Sequence, residues 1–171
     1  MSLVWLIFLA VGVAVAIVDA TAYRIPNYGL VALFVLFAVV AAVRGSEISW
    51  LEHFGAGALG LGAGVALFAL GQVGAGDAKL FATLSLWSGF KAIIPLFFFV
   101  ALAGLIQVIV IVVLRRLAPK VQSMLPPLRS ATLPRILVKR EGIPFGVGMV
   151  GGALIAAQWF PDWLWVGHLA M

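Results

Sequence analysis

The sequence predicts an all-α, polytopic integral membrane protein of about six transmembrane helices, with both termini outside. Composition is the first reason: of 171 residues, 64% are hydrophobic and 10% charged, and the mean hydropathy is +1.20. Ordinary soluble domains are about half apolar and about one quarter charged, so lipid must be the solvent for most of this chain. The second reason is that only helices and closed barrels satisfy every backbone group within hydrocarbon. The third is that the apolar runs are too long and too poorly alternating for barrel strands. At this length residues 1–171 form a single domain.

Six apolar segments follow one another. The first runs from Ser2 to Val18. Ala20-Thr21-Ala22 resembles a signal-peptide cleavage site, but no Lys or Arg precedes the run and Asp19 ends it, so it reads as a retained helix. The second, Tyr28 to Val43, starts behind Pro26-Asn27. The third, Phe54 to Val73, carries Gly60 and Gly64 on one face, and the sixth, Ile143 to Phe160, carries Gly148 and Gly152; such pairs let another backbone approach closely. The fourth, Leu80 to Phe90, is short against the ~20 residues that a span needs. It could be a half-helix that merges around Ser88-Gly89 with the fifth, Ala92 to Leu114.

Orientation follows from the basic residues. With the loop 115–142 in the cytoplasm, six alternating spans put Arg24, Lys79, Arg115, Arg116, Lys120, Arg129, Arg135, Lys139 and Arg140 inside, and leave only Arg44 and Lys91 outside. Five spans would break that asymmetry. Trp5, Trp50, Trp87, Trp159, Trp163 and Trp165 then fall near the outer interface, where indoles prefer to sit. The net charge of +5 comes from the basic loop, which reads as topology and anionic-lipid contact rather than as a nucleic-acid surface. The absence of cysteine excludes disulfides, thiol nucleophiles and iron–sulfur clusters. No cofactor or metal is expected. His53 and His168 fall on the outer side and receive no role.

Asp19 and Asp77 are the candidate chemical pair. The topology sets both at the cytoplasmic ends of their helices and at similar depth. Two carboxylates brought together in a low-dielectric setting cannot both ionise cheaply, so they share a proton. The charged member can take a proton from water while the neutral one donates to a carbonyl oxygen. Gly74 and Gly76 remove side chains just before Asp77 and allow unusual dihedrals, so a substrate backbone could approach. The stretch from Asp77 to Phe90 would be about 20 Å long, short of a ~30 Å hydrocarbon core, so either the bilayer thins there or the Asp77 end is sunk into it, and the latter suits a site that cuts beside a transmembrane helix. Taken singly, each residue has a plainer reading: Asp19 as a helix stop, Asp77 as loop chemistry, Arg24 and Lys79 as topology anchors, Pro26 and Asn27 as a helix start.

Together these residues resemble the type IV prepilin peptidase family of membrane aspartic proteases. Asp19 followed by Arg24-Ile25-Pro26-Asn27 is similar to the family's Asp and Ile-Pro-Asn element. Gly74-Ala75-Gly76-Asp77-Ala78-Lys79-Leu80 fits its Gly-x-Gly-Asp-x-Lys-Leu signature, and Ile143-Pro144-Phe145-Gly146 resembles its Pro-(Phe/Tyr)-Gly segment. The resemblance implies that Asp19 and Asp77 are catalytic. It also implies that Gly74, Gly76, Lys79, Arg24, Pro26, Asn27, Pro144 and Gly146 shape the site or bind substrate. The implied substrate is a prepilin with a short basic leader, a Gly before the cut and an apolar helix after it, cleaved at the bacterial inner membrane. The compact, cysteine-free chain is similar to the Flp/Tad-type peptidases, for which methyltransferase activity is not expected. Two other readings fit intramembrane acids less well: a small ion-coupled transporter, for which no internal repeat is seen, and a non-catalytic assembly factor docking through the basic loop.

Overall fold

The computed structural model describes residues 2–124, 134–137 and 142–164. Among them the chain is helical and without strands: α1 (Leu3–Ala22), α2 (Asn27–Arg44), α3 (Trp50–Ala69), α4 (Ala75–Met124) and α5 (Phe145–Ala156), joined by short 3-10 turns. Four of these helices are long and apolar enough to cross a membrane, and the stretch Phe145–Trp159 is a shorter apolar helix. The expected positions of the chain termini, with Trp165, His168, Arg129, Lys139, Arg140 and much of the loop 115–142, lie outside the described residues.

The fourth and fifth apolar segments form one assigned helix, α4, broken at Gly89 (φ 61°, ψ 179°). The break reverses the chain. Phe81 and Phe97 have ring centroids 4.6 Å apart, whereas an unbroken helix would separate positions sixteen apart by about 24 Å. Residues 75–88 and 90–124 are therefore antiparallel legs of a hairpin with almost no loop. Only glycine takes Gly89's dihedrals cheaply, and a Cβ there would lie 3.2 Å from the His53 ring. His53 is buried, and its Nδ1 meets the Leu86 carbonyl at 2.7 Å, beside the break. It thus has a structural role that its sequence gave no sign of.

The helices are apolar nearly all round, so hydrophobicity does not mark the inner face. Large side chains such as Leu3, Ile17, Tyr28, Val43 and Ile94 stay exposed, as lipid-facing residues should. Steric fit marks the interior instead. A Cβ on Gly60 would clash with the Ser85 side chain, and one on Gly64 would meet the Ala78 backbone at 2.8 Å. One on Gly152 would meet the Phe99 and Val100 backbone at 2.5–2.6 Å, and one on Gly148 would meet Gln107 and Gly104. The glycines paired at four-residue spacing are where α3 and α5 touch the two legs of α4.

An aromatic core fills one end of the bundle. Phe8, Phe37, Trp87 and Trp163 are in ring contact, and Trp87 is fully buried with its indole N–H donating to the Leu33 carbonyl. Of the tryptophans expected near the outer interface, Trp5, Trp87 and Trp163 are buried in this core, while Trp50 and Trp159 stay half-exposed. Close helix packing claims their ring area more strongly than the interface does. The Ser2 hydroxyl donates to the Leu164 carbonyl, so the two ends of the described chain meet at this aromatic end.

Three expected boundaries shift. Asp19 does not end α1; one further turn runs to Ala22, and the helix stops at Tyr23 in the left-handed conformation (φ 55°), whose N–H bonds to Asp19 O. Helix α3 begins at Trp50 and ends at Ala69, four residues earlier than expected. The second leg continues through Pro119 to Met124, so residues 115–124 are helix rather than loop.

Candidate active site

At the end opposite the aromatic core, three segments, two of them glycine-bearing, bring two carboxylates together. Asp19 extends the inward stripe Trp5, Phe8, Gly12, Val15 of α1, each three or four residues from the next, and is itself buried at 4% exposure. Its Oδ2 accepts the Gly146 N–H at 2.7 Å from the first turn of α5. No side chain could replace that glycine's hydrogen in place, because a Cβ would lie 2.8 Å from the same oxygen.

Asp77 stands in the first turn of α4, and its Oδ2 accepts the Gly74 N–H at 2.8 Å. The side chain thus reaches back to the helix's N-cap amide, half of a capping box, and its charge faces the favourable end of the macrodipole. Gly76 is small for a different reason from the one expected. Neither Gly74 nor Gly76 has a positive φ, so unusual dihedrals are not needed. A Cβ on Gly76 would instead come within 3.1 Å of Ile25, and the absence of one lets the α1–α2 connection sit against the start of α4.

Both carboxylates line one cavity of about 550 Å³, along with Tyr23, Arg24, Ile25, Asn27, Gly74, Gly76, Lys79 and the strand-free stretch 142–145. The described hydrogen bonds use Oδ2 of each and none uses Oδ1. Lys79 Nζ lies 3.4 Å from Asn27 Oδ1, tying the start of α4 to that of α2. Of the expected site residues, Asp19, Asp77, Gly74, Gly76, Lys79, Arg24, Asn27 and Pro144 line this cavity. Gly146 bonds Asp19 directly, while Pro26 is buried beside the cavity as the N-cap of α2. A second, apolar cavity of about 520 Å³ lies between α3 and the two α4 legs, and Asp77 and Phe145 line both spaces. Among the described residues no group of His, Asp and Glu is arranged to hold a metal ion.

Residues 6–109 match the profile of the type IV leader peptidase family. The chain belongs to this family. It is similar to the prepilin leader peptidase/N-methyltransferase of Bacillus subtilis (strain 168), with 30% identity over 156 residues that cover 88% of this chain. The match covers 53% of that relative, so the chain spans about half of its length. No solved structure matches significantly. The family match ends at residue 109, so the Pro144-Phe145-Gly146 element is tied to the other two by its contacts here: the Gly146–Asp19 bond and the shared cavity.

Sequence reading missed Tyr23 and Ile143 as cavity walls, and Gln107, whose amide donates to the Pro144 carbonyl at 2.7 Å. Gln107 did carry a signal, as the only polar side chain between Phe97 and Leu114.

Proposed function

We propose that this chain is an aspartic endopeptidase of the bacterial inner membrane that removes the short leader of prepilin-like proteins, with Asp19 and Asp77 as its catalytic pair. The observation that carries the reading is that two acids 58 positions apart line one polar cavity, each accepting a glycine N–H on one oxygen, with no bond to the other oxygen among the described residues. In the proposed reaction one carboxylate accepts a proton from water as the water attacks the scissile carbonyl carbon. The other, protonated, donates to the carbonyl oxygen. Collapse of the tetrahedral adduct breaks the C–N bond, and the proton first taken from water goes to the departing amine. The glycine amides hold each carboxylate in one orientation, so little reorganisation is needed during the step.

The two cavities that meet at Asp77 suit a substrate of mixed character. The polar space beside Arg24, Asn27 and Lys79 would take the polar leader and scissile backbone. The apolar space lined by Leu67, Phe81, Phe97 and Leu105 would take the apolar residues after the cut. A bundle in which the two α4 legs cross separately gives six passes, with the acid-bearing end at the cytoplasmic face. Methyl transfer, the second activity in the Bacillus relative's name, is not part of the proposal.

The test is purified protein in detergent with a peptide bearing a basic leader, a Gly and an apolar segment, the products identified by mass. A single cut after the Gly is expected, lost in both Asp19→Asn and Asp77→Asn. Cleavage that persists in either variant refutes the assigned pair.

A further inference from the structure

The second leg of α4 is apolar from Phe97 to Leu114 except for Gln107. An amide in hydrocarbon is costly unless its hydrogen bonds are met, and leucine or methionine would fill the same length without that cost. Gln107 meets its bond in an unusual place. Its Nε2 donates 2.7 Å to the carbonyl of Pro144, the residue that caps α5. Its Oε1 is buried with no hydrogen-bond partner among the described residues. A cost is thus carried to keep one donor on one carbonyl. Two residues later along the chain, Gly146 donates to Asp19.

Arg115 stands eight residues beyond Gln107, on the same face of the helix and with the buried Ile111 between them. Its Nε donates to the Ile136 carbonyl at 2.8 Å and its Nη2 to the Gly142 carbonyl at 2.9 Å. In the sequence this arginine stands out only as part of the basic loop that sets topology. Its two bonds also fix the stretch that returns to α5, and Gly142, Ile143 and Pro144 form one wall of the acid cavity. Gln107 and Arg115 together hold that wall at both ends against one rigid helix. The close packing of Gly148 on Gly104 and Gln107 leaves the start of α5 no room to slide.

We infer that Gln107 and Arg115 are positioning residues: through the segment 142–146 they fix the Gly146 N–H, and through it the orientation of the Asp19 carboxylate. The inference rests on the aspartic-peptidase reading above. Neither residue touches the reacting atoms. Loss of either should leave substrate binding nearly unchanged and slow the chemical step, because misplacement of a catalytic group by about 1 Å can cost about a hundredfold.

The experiment compares kcat and KM of the purified full chain for one leader peptide in the wild type, Gln107→Leu, Arg115→Lys and Asp19→Asn, with folding followed by thermal unfolding. Gln107→Leu keeps the volume and removes the donor. Arg115→Lys keeps the charge but cannot make two forked bonds. The expected result is a kcat lowered about tenfold or more in Gln107→Leu and severalfold in Arg115→Lys, with KM within about twofold. Wild-type kcat in folded Gln107→Leu overturns the inference, and so does a raised KM with kcat unchanged. If Gln107→Leu fails to fold, Arg115→Lys decides by the same criteria. Asp19→Asn separates the two levels: if it still cleaves, the peptidase assignment itself falls. If it is inactive while both other variants match the wild type, only the positioning role falls.

Discussion

Gly146→Ala is the substitution whose consequence can be worked furthest from the geometry. The new methyl would sit 2.8 Å from Asp19 Oδ2, 3.1 Å from its Cγ and 3.2 Å from its Cβ. Carbon contacts are comfortable at about 3.5–4.0 Å, so the start of α5 and the Asp19 carboxylate must separate by about half an ångström or more. Both groups are buried, which leaves the methyl no open side. Overpacking of this kind costs about 1–3 kcal/mol of stability. The 2.7 Å N–H bond to the carboxylate is stretched or lost as well. A bond to a charged group contributes about 1.5–3 kcal/mol. If that orientation acts in the transition state, the rate falls roughly tenfold to a hundredfold. Initial rates of leader-peptide cleavage, normalised to folded protein, measure it. Gly151→Ala, where nothing lies within 4 Å of the added carbon, is the control on the same helix. A folded Gly146→Ala protein that cleaves within twofold of the wild type would refute the reasoning.

The packing glycines divide into two groups by the same geometry. Gly64→Ala and Gly152→Ala drive a carbon into backbone that cannot rotate away and should each lower stability by about 1–3 kcal/mol. Gly62→Ala meets open space and should match or exceed the wild type, by up to about 1 kcal/mol of helix propensity; thermal unfolding in detergent ranks all three. Gly89→Ala should lower the unfolding temperature through both its positive φ and its contact with His53. The backbone penalty alone is roughly 1–2 kcal/mol, and an unchanged melting curve would mean that the hairpin break does not depend on glycine.

The fold class was legible because composition and run length leave helices in lipid as the only way to satisfy the backbone. Individual faces were not, since apolar residues surround every helix and no amphipathic stripe separates lipid from neighbour. Where the sequence did mark an interior face it used small residues, and Gly60, Gly64, Gly148 and Gly152 all lie at helix contacts. Asp19 could have been assigned to an inner face from its spacing to Val15 and Gly12, which holds whether or not it stops the helix. Which tryptophans are buried was not legible, because an indole suits an interface and a tight aromatic core equally well, and neighbours far along the chain decide which. Gln107 and Arg115 act through carbonyls of Pro144, Ile136 and Gly142; bonds to main chain leave no complementary residue for a sequence reader to find. The fourth and fifth segments read either as separate spans or as a half-helix merging near Ser88-Gly89, and the sharpness of the reversal depends on a positive-φ glycine braced by His53.

Asp19 and Asp77 line one polar cavity, and the proposed chemistry needs that cavity to be open to water. Because the chain contains no cysteine, an Asp19→Cys/Asp77→Cys double variant reports on that space cleanly. A short, water-soluble bifunctional thiol reagent should add a single bridge per chain and consume both thiols at protein dilutions too low for intermolecular linkage. Asp19→Cys paired with Glu47→Cys, which lines a separate cavity with His53, Lys91 and Trp163 at the aromatic end, should give no bridge. Two independent single adducts on the Asp19/Asp77 variant, or thiols that the aqueous reagent never reaches, would contradict the shared site and with it the catalytic pair.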